Sequence, residues 1–267
     1  MRLKPSGSFQ VRRLAPDAIL AGARELAVET PVAISFLGIG YAVMMASPLD
    51  LEDFGYGFAA SERIIERSEQ VTGITILEEE RGLLLNIEVS PDRQELVLQR
   101  VRHRAGESSC GLCGIENLDQ ALRPLPRVER PPDFVARPAL FEALRNIRDH
   151  QPVNRSTGAV HAAALFGTDG ALVAAREDVG RHNAFDKLIG HCLREAIDPT
   201  AGFALLTSRC SYELVEKAAL AGIPLLVTVS APTSLAIERA REAGLTLIAL
   251  ARQDEMLVVS DPYSLFA

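Results

Sequence analysis

The sequence has few cysteines and no long apolar run. Its four cysteines, at positions 110, 113, 192 and 210, are too few and too unevenly placed for a disulfide scaffold in 267 residues. The most apolar stretch, AALAGIPLLVTVSAP, has about 15 residues and is broken by proline, whereas a membrane-spanning helix needs about 18 or more. We therefore predict a cytoplasmic protein without a transmembrane helix.

The sequence also lacks an excess of positive charge. A formal net charge of −7 argues against a chain that wraps nucleic acid, although a local basic pocket for an anionic small molecule is compatible with it. Arg12 and Arg13 form a basic pair, but Asp17, Arg24 and Glu25 interrupt any apolar core that a secretory leader would need. We expect small molecules or proteins as ligands, and neither nucleic acid nor a membrane.

Several common catalytic motifs are missing. The sequence contains no Gly-x-Gly-x-x-Gly, no P-loop and no Gly-x-Ser-x-Gly. The zinc deaminase signature is absent as well, because alanines follow His161 and the cysteine pair lies upstream of it. No second Cys-x-x-Cys and no His-x-x-x-His is present to complete a four-ligand zinc site, so the sequence weighs against a structural zinc site.

The first half of the sequence predicts a small α+β unit. Apolar, β-branched runs at 32–36 and 41–45 flank Gly38 and Gly40 and predict a β-hairpin. Ser47-Pro48-Leu49-Asp50 predicts an N-cap at Ser47 and a helix over the following residues. Further strands are predicted at 74–77, 83–89 and 96–101, with a turn at 90–92 between the last two.

The second half alternates between strand-like and helix-like segments. A proline-rich connection at 122–134 precedes it, and we predict two domains, 1–126 and 127–267. Strands are predicted at 172–175, 203–207, 225–229 and 246–251. Helices are predicted at 138–150, 183–194, 212–221 and 234–243. This alternation is typical of an α/β domain with a largely parallel sheet covered by helices.

The segment SSCGLCG contains the one close pair of thiols, Cys110 and Cys113. Its glycines predict an exposed, mobile loop in which little crowds the sulfurs. Basic residues lie just upstream and would favour a thiolate if the loop folds back onto them: Arg100, Arg102, His103 and Arg104. From the residues alone a zinc site, a redox disulfide and a thiol that hands on a group all remain open, with the last favoured.

The segment REDVGRHNAFDKLIG, at 176–190, joins a predicted strand to a predicted helix. Gly180 allows a tight turn, and Asn183 could cap a helix whose N–H groups point at an anion. The segment is dense in ionisable residues: Glu177, Asp178, Arg181, His182, Asp186 and Lys187. Such a junction at a strand's carboxyl end is where open α/β sheets bind ligands, although an ordinary solvated helix face is the alternative. His161, on local grounds, is typical of a partly buried structural histidine.

Two more strand-to-helix junctions carry small polar groups. Ser208 and Arg209 follow one predicted strand, and Ser230 follows the next. Each segment could serve merely as a helix cap, but parallel strands place such junctions along one edge of a sheet. Together they predict a site for an anionic ligand of nucleotide size.

Four segments of the sequence, taken together, closely resemble the FdhD family of formate dehydrogenase accessory sulfurtransferases: SSCGLCG, GAVHAAAL, REDVGRHNAFDKLIG and SRCSYELVEKAALAGIPLLVTVSAPTSLAI. The resemblance covers about residues 30 to 267. It implies a sulfur carrier that accepts persulfide sulfur from a cysteine desulfurase and passes it to the molybdenum cofactor, as bis(molybdopterin guanine dinucleotide), for formate dehydrogenase. Cys110 matches the persulfide-forming cysteine and Cys113 an assisting one. The second domain is implied to have a cytidine deaminase-like three-layer fold.

The resemblance also implies a cofactor-binding set, a homodimer, and binding of a guanine nucleotide such as GDP in place of the cofactor. The implied cofactor-binding residues are Leu250, Ala251, Arg252, Gln253, Asp254, Glu255, His161, Gly180, Arg181, His182, Asn183, Ser208, Arg209 and Ser230. Asp254 and Glu255 depart from the family, since many members have a glycine-containing basic segment there. A non-catalytic chaperone that binds the cofactor and formate dehydrogenase is the alternative function.

Overall fold

A computed structural model of the chain describes residues 4–106, 122–131, 133 and 135–266. Its strands are β1 Ser6–Ala15, β2 Ala18–Ala27, β3 Thr30–Phe36, β4 Ile39–Ala46, β5 Val71–Glu79, β6 Gly82–Val89, β7 His161–Gly167, β8 Leu172–Asp178, β9 Gly202–Leu206, β10 Leu225–Thr228, β11 Thr246–Ala249 and β12 Leu257–Ser260. Its helices are α1 Leu51–Ser61, α2 Pro91–Gly106, α3 Arg137–Asn146, α4 Pro152–Thr157, α5 Arg181–Arg194, α6 Tyr212–Leu220 and α7 Ser234–Ala243.

The strands form three sheets. β1 and β2 pair only with each other, a four-stranded sheet has the order β4-β3-β6-β5, and a six-stranded sheet has the order β12-β11-β10-β9-β7-β8. β9, β10 and β11 run parallel, as predicted, whereas β7, β8 and β12 pair antiparallel with their neighbours. The mixed α/β class is therefore confirmed, with a parallel arrangement confined to the centre of the larger sheet.

The four-stranded sheet packs its inner face against α1. Ile34, Leu85 and Ile87 lie in one buried cluster with Phe54 and Phe58. The predicted hairpin and helix are both present, but the predicted N-cap at Ser47 is wrong. The residue before the helix is Asp50, which has a left-handed backbone (φ 50°), so the chain becomes helical only at Leu51.

Helix α2 replaces a predicted turn and strand. Residues 90–92 were predicted to form a turn and 96–101 a strand, but Pro91 opens a helix that continues to Gly106. Val97 and Val101 stand four residues apart on the side of α2 that packs into the sheet's core, which is helical spacing. Leu96, Val97 and Leu98 form a short apolar run, and such a run occurs in strands and helices alike, so it did not distinguish the two.

The six-stranded sheet has helices on both faces. On one face Phe185 and Leu188 of α5, Leu214 of α6 and Ala240 of α7 join a single buried cluster. On the other face Leu140 of α3 packs with sheet residues. Whether this layout is that of cytidine deaminases stays a prediction, as does the domain boundary at 126. Within the described residues no helix is both long and apolar enough to cross a membrane.

Helix α1 packs on the four-stranded sheet and crosses α5, which packs on the six-stranded sheet, at close backbone contact. A Cβ atom at Gly190 would lie 1.8 Å from the Asp53 carbonyl oxygen, and one at Gly57 would lie 1.7 Å from the Asp186 carbonyl oxygen. The buried carboxylate of Asp53 accepts a hydrogen bond of 2.7 Å from Arg176, next to the crossing. Glycine is required at both positions because any side chain would push the helices apart.

Candidate functional site

One edge of the six-stranded sheet collects the predicted strand-end residues. β8 is antiparallel to β7 and β7 is antiparallel to β9, so β8 runs in the same direction as β9, β10 and β11. Their carboxyl ends therefore meet at one edge, and His161, the first residue of β7, lies there opposite Asp178. We call this edge the strand-end edge; it comprises His161, 178–183, 207–211, 229–234 and 250–252.

Backbone hydrogen bonds hold the neighbouring segments of the strand-end edge together. The Thr207 N–H donates to the Ala162 carbonyl at 3.0 Å, next to His161. The Ser230 N–H donates to the Ser208 carbonyl at 3.3 Å, and the Leu250 N–H donates to the Ser230 carbonyl at 3.3 Å. The segments at 161–162, 207–208, 230 and 250 thus lie side by side.

Three helices begin at the strand-end edge. α5, α6 and α7 follow β8, β9 and β10 directly, and their N-termini carry the partial positive charge of aligned peptide dipoles. Their first N–H groups have no partners within the helix and are therefore suited to bind an anion. The Thr233 side chain satisfies one such group by accepting from the Ala236 N–H at 3.2 Å. The cap residue of α5 is Gly180 and that of α6 is Ser211, and neither has a capping side-chain hydrogen bond.

Basic side chains concentrate at the same edge. Burial, followed by the nearby guanidinium groups of Arg181 and Arg209, lowers the pKa of His161. The Arg181 Nε–H is buried and has no hydrogen-bond acceptor among the described residues. Arg209 is exposed and forms no ion pair within the described part of the chain. This positive potential would favour an anionic ligand.

Asn183 and Asp178 hold the turn that begins α5. The buried Asn183 amide donates to the Met45 carbonyl at 2.8 Å and to Asp178 at 3.1 Å, so Asn183 lies in the first turn of the helix instead of capping it. The Asp178 carboxylate accepts the Gly180 N–H at 2.7 Å. A Cβ atom at Gly180 would lie 2.8 Å from the Asn183 amide nitrogen. Both side chains therefore hold the turn in place.

Most ionisable residues of the 176–190 segment have internal partners. Glu177 accepts the N–H groups of Val153 and Asn154 at the start of α4. Asp186 is buried and pairs with Lys217 at 2.5 Å. The high charge density that marked this segment in the sequence is thus largely structural, and Arg176, Arg181 and His182 are its partly exposed ionisable residues.

The 250–255 stretch leaves β11 in a tight turn. Leu250 has a left-handed backbone (φ 49°), and the Arg252 N–H donates to the Glu255 carbonyl at 2.8 Å. The Arg252 guanidinium donates to the Val229 and Ala251 carbonyls, which places it on the strand-end edge. Asp254 accepts the Glu255 N–H at 3.1 Å, so its carboxylate is engaged within the turn. Ala251 is buried, while residues 252–255 are exposed.

His182 lines a cavity between β4 and α1 on one side and α6 on the other. Its Nε2 lies 3.0 Å from a Glu213 carboxylate oxygen and 3.2 Å from the Ser211 hydroxyl, and this hydrogen bond lowers the pKa of Glu213. The cavity has a volume of about 370 Å³ and is also lined by Arg63 and Arg123. Sequence reasoning missed both arginines, since neither lies in a motif.

The cavity lies near described residues that precede and follow the thiol segment in the chain, Arg100 and Arg123. Arg123 follows that segment in the chain, and Arg63 donates to the Pro124 carbonyl at 3.1 Å. Burial, then the guanidinium of Arg123, and also that of Arg100 on α2, lower the pKa of Arg63. Arg63, Arg100 and Arg123 thus lie near one another, and the carboxylates of Glu62 and Glu216 offset part of their charge.

Cys110 and Cys113 lie outside the described residues, so their assigned roles stay predictions. The two described cysteines, Cys192 and Cys210, are buried free thiols. Burial raises the pKa of Cys192 to about 11 and that of Cys210 to about 12. Both therefore remain protonated near neutral pH and are poor nucleophiles.

Residues 27–266 match the model of the FdhD/NarQ family. A "Sulfur carrier protein FdhD" from Xanthomonas euvesicatoria pv. vesicatoria is 47% identical over 240 residues, 90% of this chain and 85% of that protein. One of the same name from Bordetella petrii is 43% identical over 237 residues, 89% of this chain and 85% of that protein.

A solved structure has a similar fold. The crystal structure of a protein from Desulfotalea psychrophila, described as a formate dehydrogenase accessory protein, superposes with a TM-score of 0.74. The two sequences are 25% identical, and the alignment covers 97% of this chain and 99% of the other. Because the family model spans most of the chain and the curated relatives share more than two fifths of their residues with it, this chain belongs to the FdhD/NarQ family.

Proposed function

We propose that this protein is a sulfur carrier that takes sulfur from a cysteine desulfurase and delivers it to bis(molybdopterin guanine dinucleotide) for formate dehydrogenase. The names of its relatives support a sulfur-carrying role, and the description of the Desulfotalea protein supports a link to formate dehydrogenase. The observation in this chain that carries the proposal is the strand-end edge, where helix N-termini, Arg181 and Arg209 converge around His161.

Cys110 is the proposed carrier. Its thiolate attacks the terminal sulfur of the desulfurase persulfide, an S–S bond forms on Cys110, and the desulfurase thiolate leaves, so the step needs no external oxidant. Cys113 is the assisting thiol. Cys192 and Cys210 are unsuited to this role because burial keeps them protonated.

The charges around the thiol segment support a thiolate at Cys110. Cys110 is four residues after Gly106, the end of α2, and this length of chain reaches at most about 14 Å. Arg63 and Arg123 line the cavity, Arg100 is close to both, and Glu62 and Glu216 offset part of their charge. Concentrated guanidinium groups stabilise an anionic sulfur relative to the thiol.

The strand-end edge suits the guanine dinucleotide part of the cargo. Helix N-termini and guanidinium groups are the donors that phosphates prefer in proteins. The Arg181 Nε–H is buried and has no acceptor among the described residues, which is the state expected of a donor kept for a ligand. GDP is the probe of this site, because it carries the base and the phosphates.

Calorimetry of GDP binding tests whether the guanine nucleotide binds at the strand-end edge. Arg181→Ala and Arg209→Ala should each weaken binding by about 10-fold or more, since each removes a charge-assisted contact. Arg145→Ala on α3 is the matched control and should leave the affinity unchanged, because α3 packs on the other face of the sheet. Equal affinity in all of these variants would contradict the placement.

A further inference from the structure

A cavity of about 400 Å³ lies where the C-terminal ends of α1, α5 and α6 meet. We call it the apolar cavity, because aliphatic side chains form most of its wall: Leu165, Leu188, Ile189, Leu193, Ile197 and Ile223. Folded interiors are close-packed and contain few voids larger than a water molecule. The volume of the apolar cavity lies in the range of small-molecule sites, and its wall favours an apolar ligand over water.

The apolar cavity adjoins the cavity that His182 lines. Ser61, Arg63, Lys217 and Leu220 belong to the walls of both, and we call these four residues the shared wall. The shared wall is mainly polar, whereas the rest of the apolar cavity is mainly aliphatic. A molecule with an apolar body and one polar end therefore matches the two surfaces together.

The carboxylates near the shared wall have partners within the protein. Asp186 accepts the Ser61 hydroxyl at 2.6 Å and pairs with Lys217 at 2.5 Å. Glu216 pairs with Arg239 at 2.7 Å. The other acidic residues that line the two cavities are also bonded: Glu62 to Tyr41, Glu66 to Arg93 and Glu213 to His182.

Arg63 is the basic residue of the shared wall that has no carboxylate partner. Its guanidinium donates to the Pro124 carbonyl at 3.1 Å and forms no ion pair within the described part of the chain. Burial and then the positive charge of Arg123 lower its pKa, and the carboxylate of Glu216 offsets part of this shift. The last carbonyl groups of α1 accept the N–H groups of residues 62–65, which reduces the negative potential of that helix end. An anion beside Arg63 would therefore be stabilised.

We propose that the apolar cavity binds a small carboxylic acid with an apolar tail, of the kind of a medium-chain fatty acid. The tail lies in the apolar cavity, and the carboxylate accepts charge-assisted hydrogen bonds from Arg63 at the shared wall. This site is separate from the strand-end edge, because α5 and α6 begin at that edge and end at the apolar cavity. The inference does not depend on the sulfur-carrier proposal.

Calorimetry with acids of different length tests the burial of the tail. Octanoate should bind the unaltered chain saturably. Hexanoate, which has two fewer methylene groups, should bind about 15-fold more weakly, because each buried methylene group raises the affinity by about 4-fold. No saturable binding of octanoate, or equal affinities for the two acids, would overturn the proposal.

Variants of Arg63 test the contact with the carboxylate. Arg63→Gln should weaken octanoate binding by about 10-fold or more, since it removes a charge-assisted contact. The same variant should bind octanol, which has the tail without the charge, as the unaltered chain does, and this shows that the apolar cavity is intact. Arg145→Gln, at an exposed position on α3, is the matched control and should leave octanoate binding unchanged. Undiminished octanoate binding by Arg63→Gln, or octanol that binds the unaltered chain as tightly as octanoate, would contradict the contact.

A larger side chain in the wall tests the location of the site. Ala221 follows α6, is partly exposed and lines the apolar cavity, so Ala221→Phe should occupy the space of the tail and abolish octanoate binding. Ala136→Phe, at the residue before α3, is the control and should bind octanoate normally. Circular dichroism checks that both variants are folded. Octanoate binding that survives in a folded Ala221→Phe chain, or that is lost equally in Ala136→Phe, would refute the proposed location.

Discussion

The Lys187 ammonium group lies 2.6 Å from the Asp178 carboxylate, and both side chains are completely buried. The same ammonium donates to the Ser47 carbonyl at 2.9 Å, and the Asp178 carboxylate accepts the Ser47 N–H at 3.0 Å. Burial lowers the pKa of Lys187, and Asp178 opposes that shift. The pair thus ties the end of β4 to the turn that begins α5.

Removing one partner of this pair should destabilise the fold strongly. Lys187→Met leaves the Asp178 charge buried without its counterion, and we expect the free energy of unfolding to fall by about 3–5 kcal/mol. Urea denaturation measures this loss. The double variant Lys187→Met with Asp178→Asn removes both charges and should recover part of it. A loss below about 1 kcal/mol for Lys187→Met, the size of a surface ion pair, would show that the pair is not the anchor we describe.

The crossing of α1 and α5 should not tolerate a methyl group. Gly190→Ala would bring a Cβ atom to 1.8 Å from the Asp53 carbonyl oxygen, so the helices must separate. We expect a loss of at least about 3 kcal/mol, at or above the upper end for overpacking, because the obstacle is backbone. Gly22→Ala in β2 is the control, since no atom lies within 4 Å of its Cβ position. Equal unfolding midpoints for the two variants would contradict the close contact.

His161 should report the binding of an anion at the strand-end edge. Its pKa lies below the usual value of 6.5, through burial and then the charges of Arg181 and Arg209. GDP phosphates would offset those charges and raise this pKa, which NMR of the imidazole protons measures. An unchanged pKa at saturating GDP would place the nucleotide elsewhere.

The lowered pKa of His161 also predicts how stability and GDP affinity depend on pH. Because the folded pKa is depressed, the unfolded chain binds more protons near pH 6, and this contribution to stability is lost as the pH falls below the usual value of 6.5. Because GDP should raise the pKa of His161, GDP binding should be coupled to proton uptake by that imidazole. The affinity for GDP should therefore rise as the pH falls from about 8 to about 6. Calorimetry at both pH values checks this. His161→Gln should weaken the pH dependence, and an undiminished dependence would assign it to another group.

The strand-end residues could be predicted to meet because strand and helix alternate regularly in the second half. Gly180, Ser208 and Ser230 each follow an apolar strand and precede a helix, so the sheet alone brings them together. The sequence could not show that β7 intervenes between β8 and β9, and it is this strand that places His161 at the same edge.

The wrong helix cap at Ser47 and the missed arginines both result from contacts between residues far apart in the sequence. Ser47 has the sequence of a helix cap, but its hydroxyl accepts the Val179 N–H, 132 residues away, at 3.1 Å. Local periodicity cannot reveal such a partner, and it likewise missed Arg63 and Arg123, which meet only through tertiary packing. Lys187 stood out as one charge among many, yet only the fold shows that it is buried against Asp178.

Loading with labelled sulfur tests the central claim most directly. The protein is incubated with a cysteine desulfurase and ³⁵S-cysteine, freed of small molecules, and then assayed for bound sulfur and for its ability to activate formate dehydrogenase. The unaltered chain should hold sulfur that a reductant releases, and it should yield active enzyme. Cys110→Ala should do neither, while Cys192→Ala, which alters a buried thiol, should retain both. A Cys110→Ala chain that still acquires the label and still activates formate dehydrogenase would contradict the account, and one that activates the enzyme without acquiring label would favour a chaperone.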